Sequence, residues 1–165
     1  MPPTNAPESV FDHPILLGKR ADELSLLIER QIEPIFAELG IAIPVRSCSL
    51  MLFLEQANGA SAADLAKGLG HSHQLVLQKI PVLQRRDLIE RHNDPEDRRR
   101  RIFLLTEAGQ EQVMLLKQSF PTIQGLYRRL EEEIGVDLFD AMGRALDALR
   151  AKDLLQRLRE QDGAD

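Results

Sequence analysis

The 165-residue chain has one cysteine and a net charge of −5, which excludes an internal disulfide framework and argues against a protein that coats DNA indiscriminately. Its 43% apolar and 28% charged residues are those of an ordinary globular domain, and no apolar run approaches the roughly 20 residues of a membrane helix. Six phenylalanines and one tyrosine offer little for a stacking platform on single-stranded nucleic acid, and the lone Cys48 fits a reducing cytoplasm.

Residues 1–12 lack the basic flank and apolar core of a signal peptide and read as a disordered lead-in. From about His13 to Leu39, apolar residues recur at helical spacing through Leu16, Leu17, Leu24, Ile28, Ile32, Ile35 and Phe36. Pro34 is expected to kink or end part of this helix, and Gly40 to close it. A second helix should follow Pro44 and stop at Asn58-Gly59, with Leu50, Met51 and Leu54 available for a core. Ser61 and Asp64 have the spacing of a capping box, with Asp in place of the usual Glu or Gln, and so open a third helix. After the Gly70-His71 turn, Ser72 can cap a fourth helix, on which Val76, Ile80 and Leu83 form one apolar stripe.

Two strand-like pieces follow, Leu88 to His92 and Ile102 to Leu105, around an Asn93-Asp94-Pro95 turn signal and four consecutive arginines, Arg98 to Arg101. Guanidinium groups on a hairpin tip suit phosphates or an electronegative minor groove. Helix, glycine turn, helix and hairpin together predict a winged helix-turn-helix over residues 44–109. Thr106 and Glu107 then open a long helix, and a final helix is expected from about Asp137. The first and last helices offer more apolar surface than a monomer of this size can cover, so a homodimer is expected. The predicted class is therefore mainly α with a small β-hairpin wing. Residues 13–43 and 110–160 form discontinuous dimerisation helices, with Leu16, Leu17, Leu146, Leu149, Leu154, Leu155 and Leu158 at the interface.

These residues resemble the MarR family of winged helix-turn-helix transcriptional regulators, and the resemblance runs from about His13 to Leu158. It is carried by Asp94-Pro95-Glu96-Asp97 with Arg99, then Ile102, Leu105, Thr106, Glu107 and Gly109, supported by Ala63 to Ala66, Leu69-Gly70, Leu83, Leu88-Ile89 and Arg91. It implies a homodimer that binds a double-stranded DNA operator, usually as a repressor, often released by a small-molecule effector or an oxidant. It also implies that Arg99 enters the minor groove and that Asp97 steadies it. The operator-facing residues are then Ser72, His73, Gln74, Leu75 and Gln78 on the fourth helix, Arg85 and Arg86 just beyond as phosphate contacts, and Arg98, Arg99 and Arg100 on the wing. The pattern departs from the family at Leu75, Leu77 and Pro81, where polar side chains are common, and at Asp87, where glycine is. Leucine nevertheless suits a thymine methyl.

Other chemistries find little support. His71 and His73 have no further ligands at metal-binding spacing, and Cys48 lies in an apolar stretch, where an inert buried thiol is usual. Phosphate loops, nucleophile elbows and metalloprotease motifs are missing, so neither an enzyme nor a cofactor is expected. The lining of an effector pocket cannot be read from the sequence. The rival reading is a protein-interaction module on a MarR-like dimer scaffold that no longer reads DNA, favoured by Leu75, Leu77 and the net acidity.

Overall fold

The computed structural model describes residues 13–94 and 99–162; the lead-in predicted for residues 1–12 lies outside them. They fall into two compact units that divide between Gln118 and Ser119.

The first unit begins with a 3-10 turn, Pro14–Leu16, capped by the His13 imidazole, which accepts the Ile15 N–H at 3.2 Å. Helix α1 (Leu17–Glu38) follows. Pro34 sits inside α1 and does not end it. A proline removes one helical hydrogen bond, and burial of Ile32 and Phe36 on either side offsets that loss. The chain leaves α1 through Gly40, whose φ of +69° suits glycine. It is pinned there by Gln112, which donates to the Gly40 carbonyl at 3.2 Å and accepts the Ala42 N–H at 2.5 Å.

Helix α2 (Cys48–Ala57) buries Leu50, Met51 and Leu54 and ends at Asn58 in the left-handed region. Helix α3 (Ala62–Leu69) opens with the full capping box: the Ser61 hydroxyl accepts the Asp64 N–H at 3.2 Å, and the Asp64 carboxylate accepts the Ser61 N–H at 2.9 Å. Phe53 of α2 lies over Gly68, where a Cβ would come within 2.2 Å of its ring. After Gly70, Ser72 caps α4 (His73–Arg85) by accepting the Leu75 N–H at 3.2 Å. Val76, Ile80 and Leu83 are the buried stripe of α4, and Pro81 is accommodated within it.

Strands β1 (Ile89–Asn93) and β2 (Arg101–Leu105) pair antiparallel, with Arg91 opposite Phe103. Ala60 adds a bridge to Phe103, so the hairpin is stitched to the segment before α3. The Thr106 hydroxyl accepts the Gly109 N–H at 2.9 Å and donates to the Asp87 carbonyl at 2.5 Å, which joins the base of the hairpin to the start of α5 (Glu107–Ile134).

In the second unit the final helix is not continuous. Helix α6 (Leu138–Ala151), capped by Asp137, stops at the extended Lys152. Asp153 then caps α7 (Leu154–Asp162) by accepting the Gln156 N–H at 2.8 Å. An aspartate offering its carboxylate to the backbone competes with helix continuation, which explains the break. The family-like class, helices with a two-stranded hairpin, is what the chain adopts.

Candidate nucleic-acid interface

The outward face of α4 follows from its inward one. Each residue turns the helix by about 100°, so Gln74, Gln78, Pro81 and Arg85 lie opposite Val76, Ile80 and Leu83, with Leu77 at the edge of that arc. All five are exposed. Ser72 and His73 are exposed at the helix N-terminus. Leu75 lies about a quarter turn away from this arc and takes part in a different feature. With His71 and Lys79 it lines an open cleft of about 730 Å³ whose other walls are Asp22, Ser25 and Leu26 of α1 and the Val45 to Ser49 segment. Lys79 donates to the Arg46 carbonyl, and Arg46 pairs with Glu29 of α1 at 2.5 Å. The His71 ring is held below its ordinary protonation range by burial and then by the nearby Lys79 charge.

The arginines divide by employment. Arg85, Arg86, Arg99, Arg100 and Arg101 are all exposed, and two of them make contacts that tie parts of the module together. Arg86 donates to the Ala42 carbonyl at 2.5 Å, which ties the end of α4 to the α1–α2 connection. Arg100 is drawn into the capping box: its guanidinium pairs with Asp64, lies 3.4 Å from the Ser61 hydroxyl and sits 3.5 Å from the Asp94 carboxylate. The Asp64 carboxyl is held below its usual range by the Ser61 hydroxyl and N–H, helped by Arg100. Arg100 thus clamps the hairpin to the N-terminus of α3, a role its place in an arginine run does not reveal. Arg98 and Asp97 lie outside the described residues.

Cys48 is half-buried, its thiol pushed up to about 11 by burial. At neutral pH it is protonated and a poor nucleophile. Among the described residues, no three His, Cys, Asp or Glu side chains gather as a metal-ligand set, and no helix is long and apolar enough to cross a membrane.

A capped outward helix beside a basic hairpin defines a winged helix-turn-helix protein. The sequence model of the MarR family matches residues 43–100, the stretch that holds this winged helix-turn-helix. Several solved structures share the fold. A cysteine-to-serine mutant of E. coli MarR complexed with operator DNA is 18% identical, with a TM-score of 0.66 over 86% of this chain and 98% of that one. The transcriptional repressor CouR bound to a 23-mer DNA duplex is 25% identical, with a TM-score of 0.62 over 82% and 92%. Bordetella bronchiseptica BpsR, whose DNA binding is regulated by 6-hydroxynicotinic acid, is 19% identical, with a TM-score of 0.63 over 90% and 99%. No curated protein sequence matches the chain.

Proposed function

We propose that this protein is a transcription regulator that binds double-stranded DNA as a homodimer. The observation that carries the reading is the outward arc of α4, polar at Gln74 and Gln78 and basic at Arg85, beside a hairpin bearing exposed Arg99 and Arg101. In this reading each protomer sets α4 in a major groove and its hairpin in the adjacent minor groove. Twofold symmetry then calls for a palindromic operator with half-sites about one helical turn, roughly 10 bp, apart. Ser72, His73, Gln74 and Gln78 face bases or the nearby backbone, Arg85 faces phosphate, and Arg99 with Arg98 forms the wing contact that Asp97 steadies. Arg86 and Arg100 hold the module together around these contacts. The net acidity is compatible, because salt screens charges beyond about 8–10 Å.

Repression is the regulatory sign that the likeness to CouR favours. A small effector would act from the cleft beside Leu75, because an occupant there touches α1 and α4 at once. Leu75, which belongs to both that wall and the DNA-facing helix, would then report the effector to the helix.

The test is selection from a randomised duplex pool at two salt concentrations, followed by fluorescence anisotropy. The expected result is a palindromic motif whose affinity falls steeply with salt, with Arg99→Ala flattening the slope by about one unit. A folded protein that enriches no motif and shows no salt-dependent binding would overturn the proposal. That result would favour a protein-docking role, which exposed Leu77 would also suit.

A further inference from the structure

Leu77 stands at the edge of the outward arc of α4, next to Pro81 and Gln74. It is 49% exposed. The buried stripe lies about a quarter turn away, and Leu75, not Leu77, lines the cleft toward α1. Leu77 is therefore outside both the buried stripe and the cleft, and in the proposed docking it meets the groove beside the two glutamines.

A leucine side chain can neither donate nor accept a hydrogen bond. In the major groove the apolar group on the base edges is the thymine C5-methyl, whereas guanine, cytosine and adenine present polar atoms there. Covering those atoms with leucine strips them of water without replacing the lost hydrogen bonds, which is unfavourable. The glutamine amides beside it on the arc match the N6 and N7 edge of adenine. We propose that Leu77 is a specificity-determining residue that covers a thymine methyl in each half-site, with Gln74 and Gln78 reading adenines on neighbouring base pairs. The half-site core is accordingly A·T-rich. The inference rests on the DNA-binding reading above and adds the base and the atom that one side chain recognises.

The test uses the full chain and its selected operator. Each thymine of a half-site is replaced singly by deoxyuridine, which deletes the methyl and leaves the base pair intact, and affinity is read by anisotropy. One position should weaken wild-type binding by about three- to fivefold, the worth of one buried methyl. Leu77→Ala should bind the unmodified operator correspondingly less tightly and show no deoxyuridine effect at that position. Leu77→Met, which keeps an apolar side chain, should retain the effect. Because Leu77 is outside the core, both variants should unfold at the wild-type midpoint. Operator binding with no deoxyuridine-sensitive thymine, or equal sensitivity in Leu77→Ala, would overturn the assignment while leaving DNA binding intact. Failure of the wild-type protein to select any DNA would remove the DNA-binding reading and this assignment with it.

Discussion

The two units of this chain treat apolar side chains in opposite ways. Residues 13–118 contain a closed core, in which Leu50, Met51, Leu65, Val76, Leu83 and Val113 are inaccessible to solvent. Among the described residues from 119 onward, none of the apolar side chains is buried. Phe139 is 88% exposed, and Met142, Leu146 and Leu149 continue its face along α6, with Leu154, Leu155 and Leu158 on α7. An apolar surface of this kind commonly marks a place where something else packs. The winged unit encloses its own core, whereas the C-terminal helices leave theirs open, and the proposed homodimer would cover it with a second copy. Leu17 is exposed and Leu16 half-buried at the other predicted interface segment.

The largest expected effect breaks this contrast directly. Leu146→Glu with Leu149→Glu should reduce the mass seen in sedimentation from a dimer to the 18.6 kDa protomer. Operator affinity should fall by about 100-fold or more as the second half-site contact is lost. The winged unit, which holds its own core, should keep its helical signal. A variant that stays dimeric and binds normally would show that the α6 face serves something else.

Glycines sharpen the contrast at the level of single atoms. A Cβ at Gly109 would lie 2.0 Å from the Leu88 carbonyl oxygen, a backbone atom that cannot step aside. Gly109→Ala should therefore cost about 1–3 kcal/mol in urea unfolding and loosen the base of the hairpin. At Gly143 in α6, an added Cβ meets nothing within 4 Å. Gly143→Ala should stabilise the protein by up to about 1 kcal/mol through helix propensity. Destabilisation there instead would mean that a partner chain approaches α6 closely at that residue.

Much of the first unit was legible in the sequence because its determinants are local. The Ser61–Asp64 capping box and the Val76, Ile80, Leu83 stripe are each contained in a few turns of chain, and strands β1 and β2 pair between segments close in sequence; each forms where its spacing predicts. What escaped depends on distance through space. Arg100 meets Asp64 across 36 positions of sequence, a contact that no local pattern in its run of arginines signals. Leu75 and Leu77 lie on the two flanks of the outward arc by steps of about 100°, and only the cleft lining, a contact through space, tells their surroundings apart. The break at Lys152 and Asp153 was missed because the leucines of α6 and α7 continue a helix-like rhythm across it.

Asp87, where similar proteins commonly carry glycine, has φ of +56°. An L-residue is strained there by roughly 1 kcal/mol or more. The bonds that define the turn run through its backbone: its N–H donates to Gln84 at 3.0 Å and its carbonyl accepts from Thr106. Asp87→Gly should keep both and stabilise the first unit by about 1 kcal/mol, raising the melting midpoint by about 2–4 °C. Unchanged operator affinity is expected, and a loss of stability would assign the carboxylate a structural role of its own.

The smallest expected effect concerns acid, and its sign separates two sites within the winged unit. His71 is held below its ordinary value of 6.5 in the folded protein by burial and Lys79, so the unfolded chain takes up a proton first as the pH falls. Its contribution to stability is complete above pH 6.5 and is lost as the pH drops from there through the lower folded value. Asp64, held below its ordinary value of 3.8 by Ser61 and Arg100, is still charged in that window and loses its contribution only at lower pH. Urea midpoints measured between pH 7.5 and 5 should therefore decline in the wild type and flatten in His71→Gln. Arg100→Ala should leave that decline in place and alter the curve only below about pH 4. A decline that persists in His71→Gln would place the titrating group elsewhere and leave the cleft beside Leu75 without a proton-sensitive wall.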